Sequence, residues 1–129
     1  MVALNENAIT LLGTATGIDA TATGTTPVYT VPVGKTMIPD HVVIRVTSFT
    51  IGPKATQAVG NFGGNAANYN DYIAAATYTI AASQVFIRDG VEGSAKTIQA
   101  AGDVFSCRIS RASDATTEVW EVKTFGHLY

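Results

Sequence analysis

The sequence predicts an all-β protein: a single antiparallel β-sandwich of about eight strands, of the jelly-roll kind. One observation is the strict alternation in residues 41–50, where Val42, Ile44 and Val46 occupy every second position. A second is that short β-rich runs, cut by Gly, Asn, Asp or Pro, recur along most of the chain. A third is that no long helical segments alternate with them, which argues against a parallel α/β fold. Eight strands in two sheets is the strand number of a jelly roll, although spacing alone does not separate it from an immunoglobulin-like topology.

The chain of 129 residues has the length of one domain. Residues 1–25 are expected to form an N-terminal arm, with a first edge strand at 8–12 followed by the Ala/Thr/Gly-rich loop GTATGIDATATGTT. Residues 26–129 are expected to form the β-sandwich domain. The arm either orders on a neighbouring subunit or is a loose terminus, and the sequence leaves both alternatives open.

Turn residues separate the expected strands of the sandwich. Pro32-Val33-Gly34 predicts a turn, and Pro39-Asp40 predicts a break in the chain that follows it. The spacing of Tyr69, Tyr72, Ile73 and Ala76 predicts one or two helical turns within 68–75. The predicted strands are 26–31, 41–50, 77–81, 84–88, 104–110 and 116–125; residues 57–61 could form another, and the segments 35–38 and 95–99 are short.

The composition excludes partners that need a strong electrostatic field. The net charge is -2, and only 14% of residues are charged, against about 25% in a typical domain. Such a surface is easy to desolvate, which indicates extensive protein–protein contact; a Thr-rich β surface explains it equally well. The start, MVALNENAIT, is not a signal peptide, and no run approaches the ~20 apolar residues of a membrane span. We therefore expect the protein to be made and folded in the cytosol.

No arrangement of reactive residues predicts catalysis, so we expect no catalytic residue, no metal site and no cofactor. Cys107 alternates in phase with Phe105 and Ile109 and is expected to be a small core residue. His41 and His127 are far apart in the sequence and belong to no spaced set of zinc ligands. Glu118 and Glu121 both lie in the predicted final strand, on opposite faces of it. They therefore do not form the carboxylate pair that glycoside hydrolysis requires.

One loop is the candidate recognition site. Asn and Gly crowd residues 60–70, and aromatic side chains on Asn/Gly loops suit contacts with protein or sugar. The competing interpretation is that the two tyrosines of this region are partly buried residues that cover the ends of strands. The candidate residues are Asn61, Phe62, Asn65, Tyr69 and Tyr72.

Several stretches together resemble small virion proteins of tailed bacteriophages, of the jelly-roll or β-sandwich type that decorates the head. The resemblance is carried by GTATGIDATATGTT, by the turn TVPVGKT leading into HVVIRVTS, by Ala101-Gly102-Asp103 before VFSCRIS, and by the ending VKTFGHLY. It covers most of the chain in its strand pattern, without a diagnostic motif. No catalytic or metal-binding residue is implied by it.

The resemblance implies a non-enzymatic structural protein of the virion, a decoration or cement protein bound to the outer surface of the head. The implied partners are the major capsid protein or other virion proteins, with self-assembly into a homo-oligomer, a trimer being favoured. Nucleic acid and membrane are not expected partners. The alternatives are a carbohydrate- or receptor-binding β-sandwich module of a phage tail, with Trp120 as a further aromatic platform, or another structural protein of the tail or neck. Trp120 alternates in phase with Val122, however, and is therefore expected in the core and not on a surface platform.

Overall fold

The computed structural model describes residues 9–52, 56–80, 82, 84–88 and 98–129, which form eight β-strands. In chain order the strands are β1 (Thr10–Asp19), β2 (Gly24–Thr30), β3 (Met37–Thr50), β4 (Ala58–Gly63), β5 (Ile73–Tyr78), β6 (Val85–Arg88), β7 (Val104–Arg111) and β8 (Thr117–Leu128). The all-β fold class predicted from the sequence is confirmed.

The strands form two four-stranded antiparallel sheets, sheet I (β1-β8-β3-β6) and sheet II (β2-β7-β4-β5). The chain runs like a long hairpin that has been rolled up, because β1 pairs with β8, β2 with β7, β3 with β6 and β4 with β5. The further pairs β3–β8 and β4–β7 close the roll. This strand order is that of a jelly roll, and it decides against the immunoglobulin-like topology that the sequence left open.

The N-terminal stretch differs from the expected strand and long loop. Most of the Ala/Thr/Gly-rich segment lies in β1 and at the start of β2, joined by a short turn at 20–23. Two register shifts interrupt the pairing of β1 with β8, and Gly17 near the second has a φ of 67° that a side chain would resist. Pairing with β8 therefore overrides the weak strand preference of small residues. Residues 1–8 of the expected arm lie outside the described residues.

Two further local predictions are wrong, and a third falls partly outside the described residues. The expected break at Pro39-Asp40 is a bulge inside β3, a position where a strand tolerates proline. The expected helical turns at 68–75 are absent, because a tight turn at Asn65–Tyr69 leads directly into β5. Of the expected strand at 95–99, only residues 98–99 are described, and Gln99 forms a single bridge with Met37.

The core lies between the sheets and is built around aromatic side chains. Tyr78 packs edge-on against Trp120, with ring centroids 5.2 Å apart, and against Phe86 at 5.5 Å. Gly60 makes room for them, because an added Cβ would lie 3.2 Å from the Trp120 ring. Trp120 and Cys107 are fully buried, as the alternation predicted, so Trp120 is not a surface platform. Burial raises the pKa of the Cys107 thiol to about 12.

One carboxyl group, that of Glu118, faces inward at the end of this core. Glu118 is fully buried, and its Oε2 accepts a hydrogen bond from the Trp120 indole N–H at 2.9 Å. Its Oε1 is buried without a hydrogen bond of normal geometry. Burial raises the pKa of Glu118, and the neighbouring Ser113 hydroxyl and the indole N–H offset this only in part.

Candidate functional site on the outer face of sheet I

The surface with the most distinctive chemistry is the outer face of sheet I, the face turned away from the core. Alternation along β8 buries Glu118, Trp120, Val122 and Thr124 and turns the odd-numbered residues outward. The bulge in β3 turns the His41 side chain outward as well, directly opposite Phe125. The outward side chains of this face include Leu11 on β1, Phe125 and His127 on β8, His41 and Val43 on β3, and Val85 and Ile87 on β6.

Two pairs of rings stand on this face. The rings of His41 and Phe125 are stacked, with centroids 4.7 Å apart and planes 8° from parallel. That separation equals the spacing between neighbouring strands, so both rings stand upright on the sheet and present their edges to solvent. The rings of His127 and Tyr129 stack less closely, at 6.1 Å and 29°. Upright rings offer edges and grooves to a partner, not the flat faces on which a sugar ring stacks.

The first ring pair is held from below by the bulge at Asp40. The Asp40 carboxylate lies 2.8 Å from His41 Nδ1, within hydrogen-bond distance. The main-chain carbonyl of Asp40 accepts a hydrogen bond from the hydroxyl of Tyr72, which is fully buried. The bulge therefore connects the ring pair to Tyr72, a buried residue that directly precedes β5.

The exposed apolar side chains on the outer face of sheet I stand on its two edge strands, among polar neighbours such as Thr14, Arg45 and Ser48. Leu11 is 49% exposed, Val85 55% and Ile87 67%. The charges on it include the Arg45–Glu121 ion pair, with Nε and Oε1 3.3 Å apart, and Lys123, which lies opposite Val43. The apolar side chains of this face lose little hydration energy when another protein covers them. The arrangement is suited to binding a protein surface.

The structure places the predicted recognition residues in two groups. Phe62 and Tyr72 are fully buried core residues, and Asn61 is buried beneath the loop, where its amide donates to the carbonyls of Asn68 (2.8 Å) and Tyr69 (2.7 Å). Asn65 and Tyr69 are partly exposed. The competing interpretation, in which the tyrosines of this region are buried, therefore holds fully for Tyr72 and in part for Tyr69.

This loop, residues 64–72, is held by its own side chains. Asn65 Oδ1 accepts from the backbone N–H of Asn70 at 2.7 Å and of Asp71 at 3.1 Å. Asp71 Oδ1 accepts from the Gly64 N–H at 2.8 Å. Tyr69 adopts a φ of 52°, which the turn requires. The Asn-rich composition thus serves the backbone of the loop, as local side-chain hydrogen bonds commonly do.

In the part of the chain that the structure describes, no three His, Cys, Asp or Glu side chains are grouped so that they could hold a metal ion. Aspartates serve turns, as with Asp19, whose carboxylate accepts from the Thr21 N–H at 2.9 Å, and Asp103, which accepts from the Ala100 N–H at 2.8 Å. Hydrogen bonding by Thr21 lowers the pKa of Asp19. Among the same residues, none forms a helix with the length and apolarity needed to cross a bilayer.

Sequence reasoning missed the outer face of sheet I. The signal was present, because Phe125, His127 and Tyr129 occupy every second position at the end of β8. The partners of these residues could not be predicted, because His41 reaches Phe125 only through the β3–β8 pairing and its bulge. Comparison of the chain with models of known families, with curated proteins and with solved structures found no match.

Proposed function

We propose that this chain is a non-enzymatic structural protein of a tailed-bacteriophage virion, a decoration or cement protein that binds the outer surface of the head through the outer face of sheet I. The partner is the major capsid protein or another virion protein, and the chain acts as a homo-oligomer, which the resemblance implies to be a trimer. The protein is made in the host cytoplasm and functions in the virion.

The observation that carries the proposal is a set of apolar side chains on the outer face of a jelly roll. Leu11, Phe125, Val43 and Ile87 place one such side chain on each of the four strands of sheet I. Apolar side chains gathered on one face favour protein–protein contact there. Jelly rolls build viral coats as well as lectins, so the fold supports the proposal only together with the surface.

The mechanism is stabilisation by differential binding. A ligand that binds the assembled shell and not its free subunits shifts the equilibrium towards the shell. Many symmetry-related copies, each making a modest apolar contact, would together resist disassembly. The protein needs no reaction chemistry to do this.

The second candidate is a carbohydrate- or receptor-binding module of a phage tail, and the partly exposed Asn65 and Tyr69 favour it. Three placements count against it: Trp120 and Tyr72 are buried, and the His41–Phe125 rings stand upright. A glycan array with specific hits, abolished by Tyr69→Ala, would support the second candidate over the first. Another structural role in the tail or neck is distinguished by the experiment that follows.

The test is co-sedimentation of the purified protein with mature heads, and separately with tails, of the phage that encodes it. We expect saturable binding to heads at a fixed ratio per capsid. Leu11→Lys should weaken it at least tenfold, because the lysine charge would be buried in the contact. Val33→Lys is the matched control, because Val33 lies in a turn and is 96% exposed. Binding to tails alone would assign the chain to the tail, and no binding to either particle would refute the proposal.

A further inference from the structure

One end of the core is closed by a segment without regular structure. Strand β7 ends at Arg111 and β8 begins at Thr117. Residues 112–115 between them, here named the cover, belong to no strand. Ser113 and Ala115 of the cover are nevertheless buried. The cover therefore shields this end of the core from water without the hydrogen-bond ladder of a strand.

The hydrogen bonds that hold the cover go to separate parts of the chain. The Ser113 N–H donates to the Ala20 carbonyl at 2.8 Å, and the Asp114 N–H donates to the Thr56 carbonyl at 3.1 Å. The Ala115 N–H donates to the Ser113 hydroxyl, within the cover itself, at 3.1 Å. A segment held in this way can open locally while the sheets on either side of it stay folded.

The cover lies against the carboxyl group of Glu118. The Ser113 hydroxyl is one of two neighbouring groups that favour the ionised carboxylate, and the Trp120 indole N–H is the other. Phe49 is directly opposite Glu118 on β3, so the two side chains point the same way. The Ala20 N–H donates to the Glu118 carbonyl at 2.9 Å. The cover, the turn after β1 and the start of β8 are thus joined at this carboxyl group.

A cavity of about 80 Å³ beside the cover gives water a place to enter. Its walls include Phe49 and Ser113, the two neighbours of Glu118, together with Gln57 and Ala115. A cavity needs roughly 10–15 Å³ to hold one water molecule, so this cavity has room for several. Water in this cavity would meet the Glu118 carboxyl group once the cover moves aside.

No cation among the described residues pairs with Glu118. The charged residues on the elements around it are Asp114 of the cover, Arg111 at the end of β7, Asp19 before the turn, and the Arg45–Glu121 pair on the outward side of sheet I. The Arg111 guanidinium donates to the Gln57 carbonyl at 3.0 Å, and the Asp19 carboxylate accepts from the Thr21 N–H at 2.9 Å. Burial therefore raises the pKa of Glu118 with no charged group to offset it.

We propose that the cover is pH-sensitive: it stays closed over Glu118 while the carboxyl group is protonated, and it opens to water when the carboxyl group ionises. The ionised group is costly to keep dry, because Glu118 is fully buried and its Oε1 lacks a hydrogen bond of normal geometry. Opening lets water from the cavity reach that oxygen. The inference concerns local opening and does not depend on the proposed function.

The direction of the effect follows from the burial of the carboxyl group. Because burial raises the pKa of Glu118, the protonated form persists in the folded protein to a higher pH than in the unfolded chain. The cover is therefore closed at low pH, and its open fraction grows as the pH rises through the folded pKa. This end of the roll should loosen on the alkaline side, the reverse of ordinary acid unfolding.

The first experiment is amide hydrogen exchange of the full chain, followed by NMR from about pH 4 to about pH 8 and corrected for the intrinsic exchange rate. We expect the protection of the Ser113 and Asp114 amides to fall at least about tenfold across this range. The Val31 amide, which donates to the Asp103 carbonyl beside the other end of β7, is the internal control and should keep its protection. Protection of the cover that does not change with pH, or an equal fall at Val31, would overturn the proposal.

The second experiment repeats the series with three variants that identify the titrating group. Glu118→Gln cannot ionise and should keep the cover protected at every pH. Asp114→Asn removes the other carboxyl group of this segment and should leave the pH midpoint of opening unchanged. Ser113→Ala removes a hydroxyl that favours the ionised carboxylate, so the midpoint should move to higher pH.

The variants also separate opening by ionisation from general loosening. Loss of the Ser113 hydroxyl frees the Ala115 N–H, which lowers protection at every pH but does not move the midpoint. Wild-type pH dependence in Glu118→Gln, its disappearance in Asp114→Asn, or an unmoved midpoint in Ser113→Ala would each overturn the proposal. The last two results hold even if Glu118→Gln proves too unstable to measure.

Discussion

Glu118 should make the stability of this protein depend on pH in an unusual direction. Burial raises the pKa of its carboxyl group, so the folded state favours the protonated form more than the unfolded state does. The stability that this preference contributes is present below the unfolded pKa of about 4.3, and it is lost as the pH rises through the higher folded pKa. The variant Glu118→Gln keeps the size and an oxygen for the Trp120 indole but cannot ionise.

The expected magnitude follows from the hydrogen bonds of the carboxyl group. When Glu118 is ionised, Oε2 keeps the indole bond and the Ser113 hydroxyl offsets part of the cost of burial, but Oε1 has no hydrogen bond of normal geometry. An unsatisfied buried polar group costs about 1–3 kcal/mol. We expect Glu118→Gln to raise the free energy of unfolding by about 1–2 kcal/mol at about pH 8, and to change it by less than about 0.5 kcal/mol at about pH 4, where both side chains are neutral. The corresponding rise in Tm is about 4–8 °C.

Urea unfolding measures this difference, with the fluorescence of the single tryptophan, Trp120, as the probe. The control is Glu121→Gln, on the outward side of the same strand, where loss of the surface ion pair with Arg45 should cost no more than about 1 kcal/mol. Equal effects of Glu118→Gln at the two pH values, or destabilisation at the higher one, would show that the reasoning about burial is incorrect.

Three further predictions concern the roll and its loop. Tyr72→Phe removes the donor to the Asp40 carbonyl and should cost about 1–2 kcal/mol in urea unfolding; no loss would mean that this hydroxyl does not hold the bulge. Gly63→Ala should cost at least about 2 kcal/mol, because its Cβ would lie 2.6 Å from the Asp71 nitrogen, whereas Gly24→Ala, with nothing within 4 Å, should be nearly neutral in the same assay. Cys107, with a pKa of about 12, should resist iodoacetamide in the folded protein and react in urea, as seen by mass spectrometry; rapid alkylation without urea would contradict its burial.

The sequence predicted the parts of the fold in which one face of a strand is buried. In β3 and β8 the apolar alternation is strong, and the core placement of Trp120 and Cys107 followed from it. It could not predict β1, whose small residues form a strand only because β8 lies beside them. The helical spacing around Tyr72 was coincidental, because pairing of β5 with β4 decides the conformation there.

The candidate site was harder to predict than the fold. The composition pointed to the Asn/Gly loop as a recognition site. In the structure, Asn65 and Asp71 of this loop accept hydrogen bonds from its own backbone N–H groups. The rings on the outer face of sheet I come from two strands distant in sequence, and a bulge at Asp40 sets their phase. Neither a long-range register nor a bulge has a local signal that a single sequence reveals.

The position of β8 in the centre of sheet I has a consequence for synthesis. Because β8 separates β1 from β3, those two strands have no hydrogen-bonding partner in common until β8 emerges from the ribosome. Until β8 has been synthesised, β1 has no partner in sheet I, and Val42, Ile44 and Val46 lie on a strand that can pair only with β6. Sheet I can therefore be completed only after sheet II, whose last strand, β7, precedes β8 in the chain.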